Sequence, residues 1–323
     1  MSPKQVLINV KNGNIVKKAE DLLTARYELP ELSMKIMSTL IAMLRTDDTE
    51  LAELYVLRVA DWKELTGRTG RDVYKDIDKA TTALMSNPIK ILRPNDGFLK
   101  VNWLSEAEWV PGTGEMELRV SPKLKPYLLE LRERFVEYGI ENILPLKSSY
   151  VIRLYEILKH EFRKVSMYNG QDKVIYEMSV QELRDKFNIP NSYRYNDIKK
   201  HITDKAQKQF KEKTDIQFQY KEIKRGRAVN KIEFVISSNT KGSNDYMRDE
   251  KSFIDYMRKN FVNRTIVETK DKYTKADIRL AISQDGKLYD KNSIDDFTAS
   301  RAKEMWSTLY SLAKKDQLKI KDK

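Results

Sequence analysis

The sequence predicts an α+β fold of two tandem winged-helix domains followed by a small C-terminal α+β module. Three observations predict it. Residues 179–236 run short helix, turn, long basic helix and hairpin; residues 54–101 repeat that order; and 237–245 are polar and turn-rich, as a linker is, before a new apolar pattern begins. The boundaries expected are 1–120 for the first winged-helix domain, 121–240 for junction helices with the second, and 241–323 for linker and module.

Helices are expected first over 15–26 and 31–45. Residues 54–59 read as a strand, and Asp61 with Glu64 three positions on reads as the capping box of a short helix over 61–66. Gly67-Arg68-Thr69-Gly70 supplies the turn. The next helix buries Val73, Ile77, Ala80 and Leu84 and leaves Arg71, Lys75, Lys79 and Thr82 outside, until Asn87-Pro88 ends it. Ile89-Lys90-Ile91-Leu92 and Phe98-Leu99-Lys100-Val101 then flank a turn whose Asp96-Gly97 step signals a hairpin. A second ribbon, 103–110 and 115–120 around Pro111-Gly112-Thr113-Gly114, carries Glu106, Glu108, Glu115 and Glu117. Such acids repel phosphate, so this ribbon is expected to face protein or water. Ser121 and Pro122 open a helix with Leu124, Leu128 and Leu131 on its apolar face. Ser148 caps a longer one over 148–164, whose buried stripe of Val151, Leu154, Tyr155 and Leu158 is expected to join the two winged helices rigidly.

In the second copy, Ser179 and Glu182 make a capping box for a helix over residues 180–187, which Asn188-Ile189-Pro190-Asn191-Ser192 stops. A helix starts near Tyr193, with Tyr195, Ile198, Ile202, Ala206 and Phe210 as its inner stripe and Asn196, Lys200, Asp204, Lys208 and Lys211 opposite. Ile216-Gln217-Phe218-Gln219-Tyr220 alternates like a strand, Lys224-Arg225-Gly226-Arg227 turns, and 232–236 is the return strand of a wing. From 193 to 231 twelve Lys or Arg stand against five Asp or Glu. A basic helix alone usually means a solvated face. A cationic β-turn directly after it has no such reason, whereas a helix in the major groove and a wing on neighbouring phosphates need both together. Tyr193, Arg194, Tyr195, Asn196, Lys199 and Lys200 are therefore expected at the groove, with Asn196 as the base contact and Lys199 at the border of the buried stripe. Lys224, Arg225, Arg227 and Lys231 are expected on phosphate or minor groove. The first copy is weakly cationic, with seven basic against five acidic residues over 61–93. Its candidate contacts are Arg68, Thr69, Arg71 and Lys75, and use as a scaffold or dimerisation module fits it equally.

The whole-chain composition agrees. The 323 residues carry a net charge of +12, distributed as −1 over 1–120, +8 over 121–240 and +5 over 241–323, so the second copy holds most of the electrostatic footprint. Cysteine is absent, which excludes disulfides, thiolate zinc sites and cysteine nucleophiles and is consistent with a reducing cytoplasm. No apolar run approaches the length of a membrane span; residues 36–44, interrupted by Ser38 and Thr39, are among the longest. Met1-Ser2-Pro3-Lys4 does not read as a signal peptide, and none is expected.

Ser121-Pro122-Lys123-Leu124-Lys125-Pro126-Tyr127-Leu128-Leu129-Glu130-Leu131, Ile143-Leu144-Pro145-Leu146-Lys147-Ser148-Ser149-Tyr150 and Ile152-Arg153-Leu154-Tyr155-Glu156-Ile157-Leu158-Lys159 resemble the iteron-binding plasmid replication initiators. The likeness continues through Tyr195-Asn196-Asp197-Ile198-Lys199-Lys200, Lys213-Thr214-Asp215-Ile216 and Lys224-Arg225-Gly226-Arg227, and covers about residues 14–236. The resemblance implies a tandem winged-helix initiator that binds directly repeated iterons at a plasmid origin, mainly through its second domain. It implies a dimer held by the first domain, a monomer that activates the origin, and dimers that repress the initiator's own promoter or couple origins to limit copy number. It also implies opening of the adjacent duplex and recruitment of the host initiator and replicative helicase.

Catalysis is not expected. His160 and His201 lie on separate helices and form no His-x-His pair, so each reads as a surface or capping residue and not as a metal ligand. No Gly-x-x-x-x-Gly-Lys-Ser/Thr loop offers to cradle nucleotide phosphates, and no cofactor is expected. Glu106 and Glu108 have no neighbouring basic or histidine partner in the sequence that would suggest acid-base work. The rival reading is a transcriptional repressor or partition-type DNA binder; RNA and membrane surfaces fit less well for want of an aromatic platform or a basic amphipathic helix. Beyond the linker, Phe253, Tyr256, Met257 and Asn260 suggest a helix, 265–268 a strand, 278–282 and 287–289 a hairpin around Gln284-Asp285-Gly286, and 299–314 a helix with Met305, Trp306, Leu309 and Leu312 inward. An accessory protein contact and an extra DNA contact both fit this module. The Lys-rich 314–323 reads as a frayed tail.

Overall fold

The computed structural model describes residues 5–10, 14–44, 48–67, 70, 72–131, 135–169, 173–239, 250–260, 265–270, 277–283, 286–291 and 299–314. The chain divides into two compact units, Met1–Gly242 and Ser243–Lys323. In the first, the elements run β1 (Gln5–Leu7), β2 (Ile15–Ala19), α1 (Glu20–Thr24), α2 (Glu31–Ala42), β3 (Leu54–Arg58), α3 (Val59–Thr66), α4 (Val73–Ser86), β4 (Ile89–Leu92), β5 (Phe98–Val101), β6 (Leu104–Val110) and β7 (Glu115–Val120). A 3-10 turn at Pro122–Leu124, α5 (Lys125–Leu128), β8 (Phe135–Gly139), α6 (Ser149–Asn169), β9 (Lys173–Ser179) and α7 (Val180–Phe187) follow. The unit ends in α8 (Tyr195–Ile198), a π-helical turn (Lys199–Thr203), α9 (Asp204–Lys213), β10 (Ile216–Arg225) and β11 (Ala228–Ser238).

Residues 15–26 are not one helix. Ile15 to Ala19 form β2, antiparallel to β8 with Val16 and Lys18 turned inward. An inward lysine hides the period-two pattern from sequence reading. It is tolerated because Lys18 Nζ lies 2.5 Å from Glu156 Oε1, an oxygen that also accepts from the Tyr138 hydroxyl, all three side chains being buried. A buried ion pair of this kind needs such extra hydrogen bonds to offset its desolvation.

In the first winged-helix pattern β3, α3 and α4 are followed by the expected β4–β5 hairpin, but that hairpin is a two-stranded sheet of its own; the β6–β7 ribbon, with β7 paired to β3, holds the place that β10–β11 hold beside β9 in the second copy. Val73, Ile77, Ala80 and Leu84 are buried as expected, and Lys75, Lys79 and Thr82 are exposed. The cap of α3 differs: Arg58, not Asp61, holds that position, with no side-chain cap, because β3 runs directly into the helix and the Val59 N–H is taken by the Gly114 carbonyl. Asp61 sits instead in the first turn, where its charge suits the positive end of the helix. The hairpin turn lies one residue earlier than the Asp-Gly signal suggests. Asn95 and Asp96 both have positive φ, 58° and 59°, the pair of left-handed central residues that a type I′ turn requires. Strands β1, β3, β7 and β6 form a four-stranded sheet in that order.

At the junction, the helix expected after Ser121 is a 3-10 turn followed by the short α5, with Leu131 beyond it. Helix α6 buries Val151, Leu154, Tyr155 and Leu158 completely and runs on past Lys164. Arg153 on this helix is 4% exposed; its Nη2 donates to the carbonyls of Leu23 (3.3 Å), Ala25 (2.9 Å) and Lys186 (3.0 Å). Its guanidinium lies 3.8 Å from the ring centre of Tyr27 and 5.6 Å from that of Phe187. One buried cation thus ties the end of α1 to the end of α7, and the apolar cores of both winged-helix patterns are continuous through α6.

In the second copy the Ser179 hydroxyl accepts from the Glu182 N–H at 3.0 Å, and α7 has the expected bounds. Asn188 ends it in the left-handed region, φ 50°. Strand β9, which sequence reading passed over, pairs antiparallel with β11 and completes a sheet of order β10-β11-β9. Its signal was the alternation of Val174 and Met178 inward with Ile175 and Glu177 between them.

The second unit contains α10 (Glu250–Asn260), β12 (Thr265–Lys270), β13 (Asp277–Ile282), β14 (Leu288–Asp290) and α11 (Ala299–Lys314). The strands form one antiparallel sheet, and Phe253, Met257, Ile266, Leu280, Ile282, Leu288, Trp306 and Leu309 form its core. The expected turn residues Gln284 and Asp285, and the tail after Lys314, lie outside the described residues. Among the described residues no helix is long and apolar enough to cross a membrane.

Candidate nucleic-acid interface

The long basic helix begins at Tyr195, two residues later than expected. Arg194 is its N-cap, and the Asp197 carboxylate accepts the Arg194 backbone N–H at 2.8 Å. Its inner stripe explains the π-helical turn. Ile198, Ile202, Ala206 and Phe210 follow one another at steps of four, which on an α-helix drift by roughly 40° each. The wider turn at Lys199–Thr203 absorbs that drift, and all four side chains stay fully buried. π-turns often occur at functional sites because they re-aim the side chains around them.

The wing stands beside this helix. The Gln207 amide donates to the Phe218 carbonyl at 3.2 Å, the Tyr220 hydroxyl donates to Asp204, and Lys199 Nζ donates to Glu222 Oε1 at 2.8 Å. Strands β10 and β11 close at Arg225↔Ala228, with Gly226 at φ 63° as the first central residue of a two-residue turn. That position needs glycine, since an L side chain there is strained. The chain Lys224-Arg225-Gly226-Arg227 is thereby held at the tip, two residues beyond the Glu222 contact with the helix.

The predicted residues fall into two groups. Arg194, Asn196 and Lys200 on the helix, and Lys224, Arg225 and Arg227 on the wing, are exposed, and the cations among them form no ion pair with any described residue. Lys199 and Lys231 are instead engaged, by Glu222 and by Glu177 at 2.9 Å. The hydrogen bond from Lys199 holds the Glu222 carboxyl below its ordinary range, and the same contact raises the Lys199 ammonium. Tyr193 and Tyr195 are half-buried. Burial, and then the charge of Glu222, push the Tyr195 phenol up, so it stays a neutral hydroxyl. Glu222 escaped sequence reading because nothing in the spacing of 199 and 222 announces their contact.

In the first copy, Lys75 is exposed and 3.5 Å from Asp72, an ion pair fully in solvent. Arg68, Thr69 and Arg71 lie outside the described residues. The acidic ribbon is less bare than its sequence suggests: Arg119 pairs with Glu106 at 3.1 Å and Arg58 with Glu115 at 2.9 Å, so Glu106 does have a basic partner across the sheet. His160 is also not a surface residue. It is 7% exposed, and its Nε2 lies 3.2 Å from Glu20 Oε1, linking α6 to α1. Glu20, His160 and Glu161 bring three groups of metal-ligating type within 4.8 Å of one another.

Comparison with known proteins gives the family and the fold. The profile described as "Initiator Replication protein, WH1" matches residues 15–159, and that described as "Initiator Rep protein, WH2" matches residues 179–236. A replication initiation protein of Escherichia coli is 25% identical over 183 residues, which are 55% of this chain and 56% of that protein. The chain thus spans little more than half the length of that curated relative. The crystal structure of the Pi initiator protein in complex with iteron DNA shares the fold, with a TM-score of 0.59 and 18% identity over 72% of this chain and 100% of that one. The two matched profiles together span more than half of the residues, and the chain belongs to the initiator replication protein family, carrying both its WH1 and its WH2 domain.

Proposed function

We propose that this protein starts plasmid replication by binding directly repeated iterons at the origin, with the second winged helix as the principal reader. The observation that carries the reading is that Arg194, Asn196 and Lys200, on the helix that Lys199 and Glu222 tie to the wing, and the wing cations Lys224, Arg225 and Arg227 are all exposed. A stabilising surface would intersperse such cations with acids, whereas a phosphate backbone supplies the counter-charge from outside. Asn196 offers its amide to a base edge, as Asn commonly does to adenine. Lys199, Lys231, Tyr193 and Tyr195 support the groove-facing residues from partly engaged positions. In support stand the family membership and the likeness in fold to an initiator solved on iteron DNA.

The remaining roles follow from the same reading. Residues 1–120 act as a dimerisation and accessory DNA-binding domain, 121–240 as junction and main DNA reader, and 241–323 as an accessory module. The monomer activates the origin and the dimer represses the initiator's own promoter, in the cytoplasm of a bacterial host. Host initiator and replicative helicase are recruited to the complex, and the protein itself catalyses no reaction. Footprinting the purified chain on the DNA upstream of its own coding sequence tests this. Protection of several direct repeats supports the reading; protection of a single inverted repeat alone overturns it in favour of a repressor.

A further inference from the structure

The two-stranded β4–β5 hairpin of the first domain has one face that the fold does not use. Its inner face is packed, Ile89 and Ile91 being almost wholly buried and Leu99 and Val101 resting on the core. On the outer face Leu92 and Phe98 are 53% and 54% exposed and pair directly across the strands. Two pairs along, on the same face, Lys90 stands directly opposite Lys100. Like charges in that register destabilise a ribbon. No carboxylate among the described residues pairs with either lysine or with Arg93 at the end of β4; the lysines rest against the Phe98 ring, 4.7 and 5.7 Å from its centre, and Arg93 Nη2 reaches the Tyr127 hydroxyl at 3.4 Å.

We infer that this outer face is a DNA-contacting ribbon, in which Phe98 and Leu92 pack against sugars and base edges of the duplex minor groove while Lys90, Lys100 and Arg93 hold the flanking phosphates. The inference rests on the proposed DNA-binding function and adds to it a contact surface in the first domain separate from Arg68, Thr69, Arg71 and Lys75. The charge pattern selects the occupant. A polyanion converts the Lys90–Lys100 repulsion into attraction, whereas a second copy of this ribbon would bring a further lysine pair against it. Apolar side chains flanked by cations are the means by which β-ribbons enter the minor groove. The tight turn at Asn95 and Asp96 leaves Leu92 and Phe98 as the last pair of the ribbon before its tip, both exposed.

The test uses the full chain. A duplex selected by the wild-type protein from a random-sequence library serves as probe, and affinity is measured against salt for wild type, for Lys90→Gln/Lys100→Gln and for Leu92→Ser/Phe98→Ser. The lysine variant should lower the slope of log K against log salt by about 1.8, two phosphates at about 0.9 each. The apolar variant should weaken binding about tenfold with the slope kept, and hydroxyl-radical protection of minor-groove sugars should shrink at one end of the footprint in both. Circular dichroism and thermal melting verify that the variants fold, which is expected because all four side chains lie on the outer face. Unchanged slope, affinity and footprint in folded variants overturn the inference and leave the second winged helix as reader. A change of mass in solution with unchanged DNA binding also overturns it and assigns the face to another copy. If the wild type selects no duplex at all, the DNA-binding reading itself fails.

Discussion

Glu222 is the residue whose removal best separates a DNA-facing surface from an ordinary one. Its carboxylate accepts from Lys199 at 2.8 Å, between the basic helix and the wing, with the Lys199 side chain 41% exposed. Replacing it by glutamine removes one negative charge from the face that the account places against phosphate and releases Lys199 to bind there. One added phosphate contact steepens the salt dependence by about 0.9, and at 0.15 M salt that corresponds to roughly fivefold tighter binding. Fold stability should change little at neutral pH, since this is a surface pair. The lowered carboxyl of Glu222 contributes stability above the usual carboxylate range, which is lost as the pH falls through its folded value. Glu222→Gln should therefore show a smaller loss of stability on acidification than the wild type. The assay is fluorescence anisotropy on a labelled duplex from about 0.05 to 0.3 M potassium chloride, paired with thermal melting across pH. Weaker binding by a well-folded Glu222→Gln, or an unchanged slope, would refute the placement of Lys199 at the phosphate backbone.

Further expectations concern the other contacts. Arg225→Ala should flatten the salt slope by about 0.9 and weaken binding to specific and scrambled duplexes alike; an unchanged slope in anisotropy titrations would remove the wing from the DNA. Asn196→Ala should cost roughly 1–3 kcal/mol of preference for the selected site, and an equal loss on scrambled DNA would show that it reads no base. Arg153→Met should lower stability in urea by about 2–4 kcal/mol, because the carbonyls of Leu23, Ala25 and Lys186 lose their donor while the guanidinium's desolvation cost is relieved. An unchanged or raised urea midpoint would mean that the junction does not depend on that clamp.

The order of elements in both winged-helix copies was legible because each helix carries its own apolar stripe, as Val73, Ile77, Ala80 and Leu84 do, and each hairpin its own turn residues. What escaped the reading has a common cause: partners distant in sequence. Lys18 faces inward only because Glu156 and Tyr138 wait there, so β2 looked like helix. Strand β9 is defined by pairing with β11, more than fifty residues on. His160 is buried by Glu20, and Lys199 is engaged by Glu222, contacts that no local spacing announces. The π-turn was half visible, since the steps of four from Ile198 to Phe210 already conflict with a regular α-helix. The cationic wing tip was readable in full, because its four residues and their turn are contiguous.

The central claim, that this chain loads onto directly repeated sites, is tested most directly by titrating the purified protein onto two duplexes of equal length while measuring the mass of the complexes in solution. One duplex carries direct repeats of the selected site and the other the same sites inverted. The account predicts that direct repeats fill with one protein per repeat and bind more tightly than the inverted arrangement. Equal binding to both, or a single dimer held best by the inverted repeat, would contradict it.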